Sequence, residues 1–152
     1  MSSNIAAGFS TSYIHNVYSD GYQVLVFDLD ISFLREMEVL LSPSSLRRNN
    51  FQITFCSSMS DVLRHVEENL YELMFISIGD LMPNDASSLL SYINSTYSGR
   101  ALPYRVALVG EGGSSFTSSM LQVGLCDRIL KKNNLSGNVL DILRRVTFKP
   151  VT

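Results

Sequence analysis

YQVLVFD (Tyr22 to Asp28) followed by SFLREMEVLL (Ser32 to Leu41) decides the fold. The first run is short and almost wholly apolar, as a strand buried on both faces is. The second places Phe33, Leu34, Met37, Leu40 and Leu41 at helical spacing. Pro43 marks its end, because proline has no N–H to donate to the helical ladder. A strand followed by an amphipathic helix, when repeated along a chain, implies right-handed crossovers and a parallel sheet.

The alternation occurs five times along the chain. FQITFC (Phe51 to Cys56) is a strand, and Ser58 with Asp61 three residues later forms a capping box before DVLRHVEENL. Val62, Leu63, Val66 and Leu70 fall on one face of that helix. ELMFIS (Glu72 to Ser77) is the next strand, and Asn84 or Asp85 caps ASSLLSYINSTY. YRVALVG (Tyr104 to Gly110) is followed by the turn GEGGSS and a short helix, FTSSMLQVG, ended by Gly124. DRILK (Asp127 to Lys131) and GNVLDILRRV, capped by Ser136, complete the series. The expected architecture is α/β: a (βα)5 flavodoxin-like three-layer sandwich with a parallel five-stranded sheet in order 2-1-3-4-5. Ligands on such a sheet bind at the carboxyl ends of the strands, here Asp28, Ser77, Gly110 and Lys131.

Composition narrows the function classes. The chain has 152 residues, 45% hydrophobic and 17% charged, the balance of one globular domain. A net charge of -2 does not favour nucleic acid or an anionic membrane surface. No apolar run approaches the ~20 residues needed to span a bilayer. Cys56 and Cys126 stand far apart without a Cys-x-x-Cys, and the two histidines are His15 and His65. That pattern reads as free thiols in a reducing, cytoplasmic compartment, with no metal and no cofactor. Residues 1–20, rich in Ser, Asn and Gly, read as a flexible N-terminal arm. Residues 21–148 form the domain and 149–152 a tail.

VLVFDLDISFLREMEVLL, ELMFIS with its following loop, and GLCDRILKKNNLSGNVLDIL together resemble the receiver domain of response regulators, over roughly residues 22 to 147. The resemblance implies a pocket in which two acids hold magnesium, an aspartate accepts phosphate, and a hydroxyl and a lysine sense it. Asp28 matches the first acid and Leu29 falls where the second would be. Ser77 takes the acceptor's place, Gly110 that of the hydroxyl residue, and Lys131 that of the lysine. Arg128 stands for the aromatic switch residue, and Lys132 for the proline after the lysine. A serine cannot form an acyl phosphate and brings no negative charge to a metal. The expectation is therefore an Asp28–Lys131 ion pair in a vestigial phosphorylation pocket.

Two other readings keep chemistry. A one-step slip in the loop DLMP makes Asp80 an alternative phosphoacceptor. FDLDIS also resembles the DxDx[T/S] motif of haloacid-dehalogenase-type phosphatases, with Asp28 as nucleophile and Asp30 as general acid/base. That family places a lysine between its motifs, whereas the first lysine here is Lys131, after GDLMPND. The favoured reading is a non-catalytic pseudo-receiver that is phosphorylation-independent and works through protein–protein interaction, with a protein partner or as a homodimer. By resemblance its surface includes Phe116, Met120, Leu121, Arg128, Leu130, Arg144 and Arg145, with Arg35 and Glu38 on the first helix as a second face.

Overall fold

A computed structural model describes residues 12–14, 22–41, 51–110, 119–120 and 122–147. In chain order these are β1 (Ser12–Ile14), β2 (Tyr22–Phe27), α1 (Ile31–Leu40), β3 (Phe51–Cys56), α2 (Met59–Glu68), β4 (Leu73–Ser77), α3 (Pro83–Thr96), β5 (Tyr104–Val109), β6 (Arg128–Lys131), a 3-10 turn (Lys132–Asn134) and α4 (Ser136–Thr147). The sheet order is β1-β3-β2-β4-β5-β6. Its last five members pair in parallel, which is the expected 2-1-3-4-5 arrangement.

Alternation along each strand builds two cores, one on each face of the sheet. Val24 and Val26 of β2 face Phe33, Leu34 and Met37 of α1 and Val139, Ile142 and Leu143 of α4. Leu25 and Phe27 face Val62 and Val66 of α2 and Leu89, Leu90 and Ile93 of α3. The result is a three-layer sandwich. Each fully buried Leu, Ile or Phe contributes about 1.5–3 kcal/mol, so burial and not any polar contact carries the stability.

Four local expectations are corrected. The arm expected over residues 1–20 holds β1, whose Ser12–Ile14 pair antiparallel with Thr54–Cys56 of β3; β3 would otherwise be an open edge of the sheet. The remainder of that arm, and the 149–152 tail, lie outside the described residues. Helix α3 starts at Pro83 rather than after Asn84 or Asp85, with Met82 at the N-cap, because proline's fixed φ and missing N–H suit the first helical position. Helix α2 runs over Met59–Glu68, and extended backbone at Asn69 leaves Leu70 exposed. Ser136 is the first residue of α4 rather than its cap. Ser58 caps α2 as expected, its hydroxyl accepting from Asp61 N–H, while Asp61 Oδ1 accepts from Arg64.

A buried arginine joins α3, β5 and β6. Arg105 donates through Nε and Nη2 to the two oxygens of Asp127, and through Nη1 to Asn94 Oδ1 and the carbonyls of Gly124 and Leu125. Gly124 has φ +80°, which lets the chain turn back towards that guanidinium. Cys56 and Cys126 are buried free thiols, both raised in pKa chiefly by burial.

His65 is buried on α2, and burial first, then the charge of Arg64, holds its pKa below 6.5. The unfolded chain therefore binds a proton there more readily than the native one, so stability falls as pH drops below about 6.5. Urea unfolding across pH 7 to 5 should show this loss, and His65→Gln should flatten the slope. An unchanged slope in the variant would assign the effect to other groups.

Candidate functional site

The site lies at the carboxyl ends of the parallel strands, where Asp28 follows β2. Its N–H continues the ladder by donating to Cys56 O at 3.1 Å. Val24 and Val26 share its parity, so its side chain points to the α1/α4 face. Asp28 is 1% exposed. Oδ1 accepts from Asp30 N–H at 2.8 Å. Oδ2 makes an ion contact of 2.5 Å with Lys132 Nζ, outside directed hydrogen-bond geometry. That ammonium also lies 4.5 Å from the centroid of the Phe33 ring, a cation–π distance. Asp30 is the N-cap of α1 and accepts from Ser32 N–H at 2.9 Å.

Ser77 closes β4. Phe27 pairs with Ile76, so Asp28 and Ser77 are the next register neighbours and share a face. Ser77 is 5% exposed, and among the described residues its Oγ has no hydrogen-bond partner. The chain then turns, with Leu81 N–H donating to Ile78 O at 3.1 Å, and Asp80 projects from the turn exposed. A Cβ on Gly79 would lie 3.0 Å from Gly110 N, so the loops after β4 and β5 close on each other there.

The structure brings together Asp28, Ser77 and Lys132 and leaves two expected members out. Lys131 is exposed and does not pair with Asp28; Lys132 does. Parity explains the exchange. Leu130 packs in the α1/α4 core, so two steps on Lys132 returns to that face while Lys131 does not. Leu29 is turned out to solvent, 47% exposed, for the same reason. The period-2 pattern of RILKK carried this signal, but matching a lysine to a motif position hid it. Gly110 lies at the rim.

The expected interaction surface is also revised. Met120 and Leu130 are buried in opposite cores, Leu130 as a residue of β6 that points to the α1/α4 side and Met120 against the other face of the sheet. Arg128 is half-buried; Arg144 and Arg145 are exposed, and Arg145 pairs with Asp141 at 3.2 Å. Phe116 and Leu121 lie outside the described residues. Arg35 is exposed and Glu38 half-buried on α1.

The donor set does not suit the magnesium that receiver pockets hold. Hard divalent cations need several oxygen ligands with at least one available carboxylate. Asp28 has one oxygen on a backbone amide and the other on an ammonium. Leu29 supplies no ligand, and Asp30 is committed to the helix cap. Among the described residues no three His, Cys, Asp or Glu side chains converge. For the dehalogenase-type arrangement, Asp30 is occupied as a cap and Asp28 is buried under Lys132.

Solved structures share the fold around this site. A signal receiver domain of an HD domain-containing protein from Pseudomonas fluorescens is 19% identical with a TM-score of 0.66, covering 87% of this chain and 90% of that one. The chain has the receiver fold. The receiver domain of a sensor histidine kinase from Pseudomonas aeruginosa, described with magnesium in its active-site cleft, is also 19% identical, with a TM-score of 0.66 over 85% of this chain and 99% of that one. A structure described as adenylate cyclase from Rhodopirellula baltica is 15% identical, with a TM-score of 0.66 over 83% and 87%. No family model and no curated protein matches the sequence.

Removing Lys132 strands a buried carboxylate. Lys132→Ala should cost roughly 2–3 kcal/mol, at or just below the ~3–5 kcal/mol for breaking a fully buried pair, because the ammonium is partly solvated. Asp28→Asn should cost less, since Asn keeps the acceptor for Asp30 N–H and the ammonium can turn to water. The double variant should match Asp28→Asn within about 0.5 kcal/mol. Urea midpoints measure all three, and additive losses would show that the two groups are not coupled.

Proposed function

We propose that this chain is a pseudo-receiver, a signalling module that acts through protein–protein interaction without phosphorylation or catalysis. One observation carries the reading: the carboxylate at the end of β2 is buried and paired to Lys132, beside a serine where the phosphoacceptor would stand. A receiver lysine that pairs with a phosphoryl group must be available to it. Here the ammonium is held by a carboxylate and an aromatic ring. Ser77 Oγ is buried, lacks a base among the described residues and cannot give an acyl phosphate.

The partner is a protein or a second copy of the chain. Leu29 and Ile31, 47% and 46% exposed, flank the site at the start of α1. Arg35 follows Ile31 one turn on along the helix, an apolar and charged combination suited to a protein contact. The charge of -2 argues against nucleic acid. No helix among the described residues is long and apolar enough to cross a membrane. Buried free thiols support a reducing, cytoplasmic setting. Likeness to a chain described as adenylate cyclase, at 15% identity, extends to the fold.

The test is the amide spectrum with beryllofluoride and magnesium, together with intact mass after incubation with acetyl phosphate. The expected result is an unchanged spectrum and no phosphoryl adduct. Saturable shifts around Asp80, or an adduct lost in Asp80→Asn, would instead establish a working receiver using that exposed carboxylate.

A further inference from the structure

We infer that the Lys132 ammonium is the built-in cation of this pocket, holding the place at Asp28 that a divalent ion takes in a magnesium-binding receiver. The inference rests on the pseudo-receiver reading and adds what neutralises the pocket. It makes the Lys132 side chain the group that keeps a divalent ion from the Asp28 carboxylate.

Three observations converge. The first is charge. A carboxylate as buried as Asp28 requires compensation, and the ammonium at 2.5 Å from Oδ2 supplies a full positive charge. A metal ion drawn to the same oxygen would meet that charge at close range in a partly desolvated site, where repulsion is poorly screened. The second is fixation. In the sheet, β4 and β5 lie between β2 and β6, so Lys132 reaches Asp28 from beyond their ends. Phe33, itself buried, lies against the ammonium at 4.5 Å from the ring centroid and holds it over the carboxylate.

The third is the polar atom left over. Ser77 Oγ lies on the same face, buried and without a partner among the described residues. A hydroxyl is a neutral oxygen ligand, so it adds coordinating capacity without charge. Once Lys132 is taken away, Asp28 Oδ2 and Ser77 Oγ are two oxygen donors on adjacent strands, with water to complete the shell. The fold then keeps a latent divalent-cation site, which the native lysine blocks.

The experiment is thermal unfolding and amide-spectrum titration with magnesium chloride at millimolar concentration, against sodium chloride of equal ionic strength. The wild type should show no magnesium-specific change. Lys132→Met, which keeps an apolar stem over Phe33, should gain a magnesium-dependent rise of several degrees in Tm, with amide shifts at residues 28 and 77. Lys132→Gln provides a second variant of different packing, and Lys132→Met combined with Asp28→Asn should lose the gain. A saturable wild-type response to magnesium overturns the inference, as do folded Lys132 variants that remain indifferent. Magnesium binding by the wild type without a beryllofluoride response would remove the built-in cation yet spare the pseudo-receiver. A response to both would remove both.

Discussion

A carboxylate sealed at the end of a central strand must find a cation, and in this chain Lys132 provides it. The Asp28–Lys132 pair links β2 to the turn after β6 across the mouth of the sheet. Phe33 brings α1 into the same contact. The pair is not the source of stability, since two apolar cores of aliphatic and aromatic side chains far outweigh one partly solvated ion pair. It decides what the site can do, because both oxygens of the buried acid are spent internally.

The rest of the mouth follows the same tendency. Asp30 gives its carboxylate to the first turn of α1. Gly79 and Gly110 bring the loops after β4 and β5 close enough that a side chain at position 79 would press on the opposing backbone. Leu29 faces outward and offers no ligand to an ion. Each local choice removes a ligand or a degree of access from the pocket. The Arg105–Asp127 cluster does comparable work at the opposite end of β5, where a buried guanidinium spends its donors on a carboxylate, an amide and two carbonyls. It positions β6, and hence Lys132, without touching the site.

Much of the fold was legible because burial on both sheet faces writes apolar strands, and one-sided burial writes helical stripes. The five strands follow from that alternation, down to the limits Phe51–Cys56, and five such units suit the 2-1-3-4-5 order that the sheet has. Asp28 and Ser77 were legible as strand ends facing one pocket. Strand β1 was not, because three residues in a polar terminus show no period of their own and pair only once the edge of β3 exists. Arg105 was hidden inside an apolar strand, where nothing local distinguishes a satisfied buried cation from a misplaced one.

Sequence by itself determined the layered α/β architecture and a hydroxyl, not a carboxylate, at the end of β4 in Ser77, because residue type and period are one-dimensional properties. Tertiary structure alone decided which lysine reaches Asp28. Two adjacent lysines are equivalent in charge and composition, but successive side chains leave a strand on opposite faces. The register of β6 on β5, with Val109 opposite Lys131, sends Lys131 to solvent and Lys132 to the carboxylate. The alternation of RILKK marks the two lysines as facing opposite ways, but that the face of Lys132 is the one holding Asp28 depends on the assembled sheet.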